Sequence, residues 1–161
     1  MEQYLIGIDA GNTASKVVIF DRYGKNVSTV STPSMRIKRR KPGFEEFDVD
    51  ELWTLIYQCI RQAVERSGIH PEDIKGIGVT SFGNGVVFLG KHGETIGPGC
   101  FSQDYRANGI IKMYKETGVY DQINDIVKGT MWAGEPGPIL RWYKEYERDT
   151  YDRIGGILLF K

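Results

Sequence analysis

The chain contains few cysteines, no excess of charge of either sign and no long apolar run. Its two cysteines, Cys59 and Cys100, are far apart and match neither a disulfide framework nor the spacing of zinc ligands. No run approaches the roughly 20 apolar residues of a membrane span, and no basic stretch leads into an apolar one as in a secretory leader. We therefore expect a soluble protein of the reducing cytoplasm that does not associate with a membrane.

The charges balance, because 21 lysines and arginines face 21 aspartates and glutamates. This balance gives no reason to expect a nucleic acid as partner. One basic cluster lies at residues 36–41, where five of six residues are cations and none is aromatic. Such a cluster is typical of an exposed, solvated loop. The composition, with 40% hydrophobic residues in a chain of 161, predicts one globular domain.

The sequence also lacks a Walker loop, the glycine fingerprint of dinucleotide-binding folds and any internal repeat. It has instead two apolar strands, at residues 4–8 and 16–20, joined by a short polar turn that begins with Asp9. A carboxylate at the end of a strand can bind magnesium. The glycine, the amide and the hydroxyl that follow at 11–13 can contact phosphate oxygens. The turn therefore predicts a nucleotide site.

The order of the segments predicts an α/β fold. A third strand near Val27 completes an antiparallel meander, a helix follows up to Gly68, and residues 73–80 return as a strand parallel to the first. Beyond these, the patterns predict two apolar strands, at residues 86–89 and 155–160. They also predict three helices, at residues 108–116, 120–127 and 138–148. The helical spacing of Trp53 and Trp142 predicts that both lie in the core. We expect one mixed, five-stranded sheet with flanking helices.

The segment 7–16 resembles the first motif of the superfamily that contains sugar kinases, hexokinase, actin and the heat-shock ATPases. In that motif an apolar strand leads into Asp-x-Gly-x-Thr/Ser, and a second strand runs back. The resemblance implies a ribonuclease-H-like, actin-like ATPase fold in which Asp9 organises Mg²⁺. The residues that it implies for contact with the phosphates of ATP are Gly11, Asn12, Thr13 and, less directly, Lys16. The alternative is an aspartate that caps its own hairpin turn.

Four further stretches are similar to motifs of the FGGY carbohydrate kinase family, in the same order along the chain. Residues 42–48, Pro-Gly-Phe-Glu-Glu-Phe-Asp, resemble its Pro-Gly-Trp-x-Glu-x-Asp segment, and residues 76–89 resemble its sugar-contacting strand and turn. Residues 102–107 resemble its Trp-x-Asp-x-Arg segment, and residues 140–145 its Leu-x-Trp helix. The chain is thus identified as a member of this family, which implies ATP-dependent phosphorylation of a sugar hydroxyl.

Two departures from the family pattern bear on the identity of the sugar. Glycerol kinases carry an Arg-Glu pair where this chain has Phe82 and Gly83, and a tryptophan where it has Ser102, so the groups that clamp glycerol are missing. The small-residue turn at 82–85 is similar to that of xylulose kinases, and together with the segments 102–106 and 130–134 it looks most like the L-xylulose kinase branch. The resemblance therefore implies a ketopentose such as L-xylulose as substrate.

A sugar with many hydroxyls needs amide, carboxylate and aromatic partners, which these stretches supply. The predicted sugar-binding residues are Asn84, Asp104, Arg106, Trp132 and Glu135. For most of them the sequence leaves a structural alternative open. Asn84 can be a turn residue, and Trp132 can pack under its glycine-rich loop. Asp104 and Arg106 can form a local ion pair at the start of a helix.

The resemblance also implies that residues 1–161 are the N-terminal, sugar-binding side of a two-domain kinase. In the family, the aspartate that accepts the hydroxyl proton and most of the adenosine pocket lie further along the chain. We therefore expect this segment to be inactive without its own C-terminal domain, and a homodimer is left open. The alternative from another class is a nucleotide-binding sensor of the actin-like superfamily without phosphotransfer. The sugar-side stretches argue against that alternative.

Overall fold

The computed structural model describes residues 2–33 and 37–160. Two compact units share these residues. The first contains the described residues up to 33 and Asp50–Phe82, and the second contains Ile37–Val49 and Gly83–Phe160. The strands and helices in chain order are β1 (Tyr4–Ala10), β2 (Ser15–Asp21), β3 (Asn26–Ser31), β4 (Glu46–Phe47), α1 (Val49–Ser67), β5 (Ile74–Ser81), β6 (Val86–Leu89), β7 (Gly99–Cys100), α2 (Asn108–Glu116), α3 (Val119–Val127), α4 (Pro136–Tyr146), α5 (Arg148–Tyr151) and β8 (Gly156–Leu159).

The first unit combines a mixed sheet with one long helix, as the sequence predicts. The strand order is β3-β2-β1-β5, in which β1, β2 and β3 form the antiparallel meander and β5 returns parallel to β1 after α1. Side chains alternate along each strand, so one face of the sheet buries Ile6, Ile8, Val17 and Ile19. The helix α1 buries a stripe with helical spacing at Leu52, Ile56, Cys59 and Ala63. It ends before Gly68, whose φ of 69° favours glycine.

The mixed sheet contains four strands in the described residues, not the five that the sequence predicts. The other apolar strands form a second sheet in the second unit, where β4, β7, β6 and β8 pair antiparallel in that order. The sequence indicates that β6 and β8 are apolar. However, a strand of four residues carries no signal for the sheet that it joins. The fold class is α/β as predicted, but the strands are divided between two sheets.

The second unit buries α2 and α4 together with β6. Its core consists of Val86, Phe88, Ile96, Cys100, Ala107, Ile110, Ala133, Ile139 and Tyr143. The helix α4 begins at Pro136, two residues before the predicted start at Pro138, and Arg148 belongs to the separate helix α5. Pro136 suits the first helical position, because the N–H that proline lacks has no partner within a helix there.

The two tryptophans that were predicted for the core differ in burial. Trp142 packs against the core of the second unit and meets the ring of Phe44 edge-on at a centroid distance of 5.3 Å. The prediction for Trp53 was wrong, because this residue is 66% exposed. Trp53 directly follows the buried Leu52, and consecutive residues of a helix point about 100° apart. It therefore cannot share the buried stripe of α1.

The basic cluster is exposed, as its composition predicts, in the part that the structure describes. Arg36 lies outside the described residues. Three of the other cations form ion pairs with acids. The pairs are Lys38–Asp48 at 2.9 Å, Arg39–Glu45 at 2.6 Å and Arg40–Glu46 at 2.6 Å. The charges of this segment are thus largely neutralised by residues 45–48. Across residues 2–33 and 37–160, no helix is both long enough and apolar enough to cross a bilayer.

Candidate functional site

The predicted phosphate turn connects β1 and β2 in the first unit. Gly11 is packed so closely that a Cβ atom there would be 2.8 Å from the carbonyl oxygen of Ala14. At the end of the turn, the N–H of Ser15 donates to Oγ1 of Thr32, and the N–H of Thr32 donates to the Ser15 carbonyl, both at 2.8 Å. The turn therefore has a fixed backbone shape that a side chain at position 11 would break.

Asp9 lies on the exposed face of the sheet near the end of β1. Its neighbours in register are Lys16 on β2 and Thr80 on β5. The three residues line an open depression of about 400 Å³, where Gly7 and Gly78 lie side by side. Because these glycines have no side chains, a ligand can approach the backbone closely at this point. The Asp9 carboxylate is therefore accessible from solvent.

The capping role that was the alternative for Asp9 is found at another aspartate. Oδ1 of Asp21 accepts the N–H groups of Tyr23 and Lys25, both at 2.9 Å, in the turn between β2 and β3. No comparable hydrogen bond to Asp9 occurs among the described residues. The geometry therefore leaves the carboxylate of Asp9 available for a cation.

The turn fits a magnesium nucleotide because some of its polar atoms have no hydrogen-bond partner in the described chain. Within the described chain, Oδ1 of Asn12 and Oγ of Ser15 are buried without a hydrogen-bond partner, although buried polar atoms normally have one. Thr13 adds an exposed hydroxyl. Among the described residues, no three histidine, cysteine or acidic side chains converge as a metal cage. A magnesium ion at Asp9 would therefore take most of its oxygen ligands from phosphate and water.

Asp104 and Arg106 form a buried ion pair in the second unit. Arg106 donates through Nε and Nη2 to the two carboxylate oxygens of Asp104, at 2.9 and 2.8 Å, and through Nη2 to Glu46 at 2.7 Å. All three side chains are at most 1% exposed. Nη1 of Arg106 also donates to the Tyr143 hydroxyl at 3.1 Å. Sugar contact by Asp104 and Arg106 stays a prediction, and this geometry favours the alternative of an ion pair.

The charges around Arg106 are balanced, because Arg40 donates to both oxygens of Glu46 at 2.6 and 2.8 Å. We call Arg40, Glu46, Asp104, Arg106 and Tyr143 the Arg106 cluster. The ring of Phe44 covers its centre, with the ring centroid 3.9 Å from Cζ of Arg106. Burial favours the neutral form of Glu46, but the hydrogen bonds from Arg40 and Arg106 outweigh burial and hold its pKa below the usual value.

Cys100 lies in the core next to this cluster. Burial raises the pKa of its thiol to about 12, and the residue is fully buried. Because the thiolate is the reactive form of cysteine, Cys100 is chemically inert in the folded chain. We assign it a packing role.

Trp132 belongs to the glycine-rich loop 129–135, which ends where α4 begins, and is 41% exposed. Its indole N–H donates to the carbonyl of Ser102 at 3.0 Å. Gly134 packs against the same carbonyl so closely that a Cβ atom would be 1.9 Å from the oxygen. These two contacts hold the loop against the segment 101–104. They leave part of the ring open, and an open aromatic face can stack on a sugar.

Glu135 and Asn84 are the remaining predicted sugar ligands. Glu135 is half-buried just before α4, its N–H donates to the Trp132 carbonyl at 3.2 Å, and burial raises the pKa of its carboxyl. Asn84 is exposed in the turn between β5 and β6 and has a left-handed φ of 61°, which is typical of a turn residue. The described contacts thus bring Asp104, Trp132 and Glu135 into one neighbourhood, but they do not connect Asn84 to it.

Glu46, the second acid of the Arg106 cluster, is not among the site residues that the sequence predicts. A signal was present, because Glu46 lies between the aromatic residues Phe44 and Phe47, which are both buried. A carboxylate between two buried aromatic residues needs a cation, since an unpaired buried charge is costly. The partner itself, Arg106, is 60 residues away and leaves no local pattern.

Known proteins with similar sequences or structures include kinases named for L-xylulose and for gluconate. A probable L-xylulose kinase of Pasteurella multocida is 40% identical over 97% of this chain and 32% of that protein. An L-xylulose/3-keto-L-gulonate kinase of Escherichia coli is 33% identical over 99% of this chain and 32% of its own length. Among solved structures, a gluconate kinase of Lactobacillus acidophilus has a TM-score of 0.90 and 25% identity over 98% of this chain and 31% of that one.

These comparisons cover one region of longer proteins, since the chain spans about a third of the length of the curated relatives that it matches. The high TM-score confirms the predicted fold, that of the actin-like ATPase sugar kinases. Residues 4–161 match the N-terminal domain of the FGGY family of carbohydrate kinases, which is nearly the whole chain. The chain belongs to the FGGY family of carbohydrate kinases.

Proposed function

We propose that this chain is the N-terminal part of an ATP-dependent carbohydrate kinase that transfers the γ-phosphoryl group to a hydroxyl of a small sugar. The match of residues 4–161 to a carbohydrate kinase family carries the proposal. The two L-xylulose kinases among the relatives support a ketopentose, such as L-xylulose, as the substrate. Both cysteines are free and buried, which supports a reducing compartment such as the cytoplasm.

The first unit would bind the nucleotide. Asp9 would organise the Mg²⁺ that accompanies ATP, and Lys16, its neighbour in register, would add positive charge near the phosphates. The turn residues Gly11, Asn12 and Thr13 would contact the phosphate oxygens. Bound Mg-ATP supplies the transferable phosphoryl group and the cation that neutralises its charge. The protein's own contribution is to position the reactants and the charges.

The second unit would bind the sugar. The open face of Trp132 offers a stacking surface, and Glu135 and Asn84 offer polar atoms for hydroxyl groups. Asp104 and Arg106 were predicted as further sugar ligands. Their hydrogen bonds to each other and to Glu46 engage the atoms that a sugar would need. Direct contact with a hydroxyl would therefore require one of these bonds to be exchanged.

The proposal includes a second, ATP-binding domain outside residues 1–161 that supplies the general base. In our proposal no residue of this chain accepts the hydroxyl proton. We therefore expect the 161-residue chain alone to show no ADP release stimulated by sugar. Turnover by this chain alone would contradict the need for a second domain.

The decisive experiment measures ADP release by the full-length protein with a panel of pentuloses, hexuloses and polyols. We expect the highest kcat/KM for a ketopentose. A higher kcat/KM for a hexulose or a polyol would reject the ketopentose and retain the kinase. No sugar-stimulated ADP release with any member of the panel would reject the kinase itself.

The role of Asp9 is tested in the same assay. We expect Asp9→Asn to lower kcat about 100-fold or more, which corresponds to ~2.7 kcal/mol in the barrier, because the magnesium loses its carboxylate partner. Asp121→Asn, the same change at an exposed position of α3, is the matched control and should retain full activity. Equal kcat values for the two variants would exclude Asp9 from the mechanism.

A further inference from the structure

The Arg106 cluster connects three segments of the second unit that are distant in sequence. Its members come from residues 40–46, from residues 101–106 and from α4. Its hydrogen bonds occupy the atoms that direct contact with the sugar would need. Buried ion pairs of this kind are also not a general source of stability. Its position next to the loop that carries the proposed sugar ligands suggests another role.

The cluster fixes the backbone of the segment 101–106. Oδ2 of Asp104 accepts the N–H of Glu45 at 2.8 Å, and Oδ1 accepts the N–H of Arg106 at 3.0 Å. On either side of Asp104, the N–H of Phe101 donates to the Glu45 carbonyl and the N–H of Tyr105 to the Gly43 carbonyl, both at 2.9 Å. The segment is therefore bonded to residues 43–46 at Phe101, Asp104 and Tyr105.

Ser102 lies within this fixed segment and contacts the glycine-rich loop. Its carbonyl accepts the indole N–H of Trp132 at 3.0 Å, and Gly134 leaves no room between the two segments. A shift of the segment 101–106 would therefore move the Ser102 carbonyl and, with it, the ring of Trp132. The orientation of the exposed aromatic ring would thus depend on Arg106, whose side chain is itself buried.

Only an arginine can make this set of contacts. The planar guanidinium reaches Glu46, both oxygens of Asp104 and the Tyr143 hydroxyl at the same time, while Phe44 stacks on its face. A lysine at 106 would keep the charge but offers a single nitrogen. It could not hold both carboxylates in this geometry.

We infer that Arg106 is a positioning residue for the sugar site: without touching the sugar, it holds the segment 101–106 so that the Ser102 carbonyl orients the Trp132 ring. This inference rests on the proposed function, because it assigns the ring to sugar binding. The orientation of the ring itself can be measured without any substrate.

The first test compares Arg106→Lys with wild type in the full-length protein. We expect the KM for the sugar to rise about tenfold, equivalent to ~1.4 kcal/mol, with the KM for ATP and kcat within about twofold. Arg148→Lys is the matched control, because Arg148 makes an exposed pair with Asp152 in the same unit. A merely structural role would reduce the folded fraction, which lowers the apparent kcat and leaves the KM for the sugar unchanged. That result would overturn the inference.

The second test observes the ring directly by ¹⁹F NMR after incorporation of 5-fluorotryptophan. The resonance of Trp132 is assigned as the one that Trp132→Phe removes, and Trp53, in the other unit, serves as internal reference. We expect Arg106→Lys to shift or broaden the Trp132 resonance and to leave that of Trp53 in place. If Arg106→Lys does not fold, Glu46→Gln replaces it, with a smaller effect in the same direction. An unchanged Trp132 resonance overturns the inference even if the protein phosphorylates no sugar.

Discussion

Replacing Gly134 with alanine tests how closely the glycine-rich loop packs on the segment 101–104. The new Cβ atom would lie 1.9 Å from the carbonyl oxygen of Ser102 and 2.9 Å from that of Asp104. Ordinary contact begins near 3.4 Å, so the two backbones must separate by about 1.5 Å. That separation breaks the hydrogen bond from Trp132 to Ser102, worth about 1 kcal/mol, and overpacking costs a further ~1–3 kcal/mol. We expect the free energy of unfolding to fall by about 2–4 kcal/mol.

Gly137 provides a matched control in the same region of the chain. A Cβ atom at this position would have nothing within 4 Å, and the residue lies in the first turn of α4. Gly137→Ala should therefore raise the free energy of unfolding by up to about 1 kcal/mol, because alanine loses less conformational entropy on folding. The same substitution three residues apart is thus expected to have opposite effects.

Urea denaturation followed by tryptophan fluorescence measures both variants. The chain has three tryptophans, and a Trp53→Phe background leaves Trp132 and Trp142, which both report on the second unit. If Gly134→Ala unfolds at the same urea concentration as Gly137→Ala, the close packing of the two segments is refuted.

Three further predictions concern charge, burial and thiols. The pKa of Glu46 is lowered from 4.5, so the stability that its charge contributes is present above that pH and is lost as the pH falls below it. Between about pH 5 and pH 3, the Tm of wild type should therefore fall more steeply than that of Glu46→Gln. Parallel curves of Tm against pH would refute the pairing of Glu46 with the arginines. Tyr143→Phe should lower the free energy of unfolding by about 1–2 kcal/mol through its lost bond to Arg106, whereas Trp53→Ala should change it by less than about 0.5 kcal/mol. Neither Cys59 nor Cys100 should react with Ellman's reagent at about pH 8 until the chain is unfolded, because burial raises the pKa of both thiols. Rapid labelling of Cys100 in the folded chain would contradict its burial.

The fold of the first unit was predictable because its contacts are local or follow simple rules. The meander joins strands that are adjacent in sequence, and a helix between β1 and β5 makes their pairing parallel. The second unit was less predictable, because β4 and β7 have two residues each and show no periodicity. Trp53 is exposed because it lies next to Leu52 and outside the buried stripe of α1. The prediction treated Trp53 as part of that stripe and did not distinguish the two neighbouring positions.

The candidate site shows the same difference between local contacts, which the sequence predicts, and distant contacts, which it does not. The turn at Asp9 is contained in one stretch of sequence, so its polar groups and its glycine are visible as a pattern. The Arg106 cluster depends on Glu46 and Tyr143, which are 60 and 37 residues from Arg106. No local pattern encodes a contact over that distance. The sequence therefore leaves two roles open for Asp104 and Arg106, sugar binding and a local ion pair.

The bond between Arg106 and Glu46 also constrains how such chains can diverge. An apolar residue in place of Glu46 or Asp104 alone would leave the guanidinium short of a hydrogen-bond partner among aromatic rings, at a cost of about 3–5 kcal/mol, a large part of the stability of a small domain. Lineages that keep the fold must therefore keep the three residues or replace them as a set. In an alignment of related chains, positions 46, 104 and 106 should covary, with apolar residues arriving together at all three.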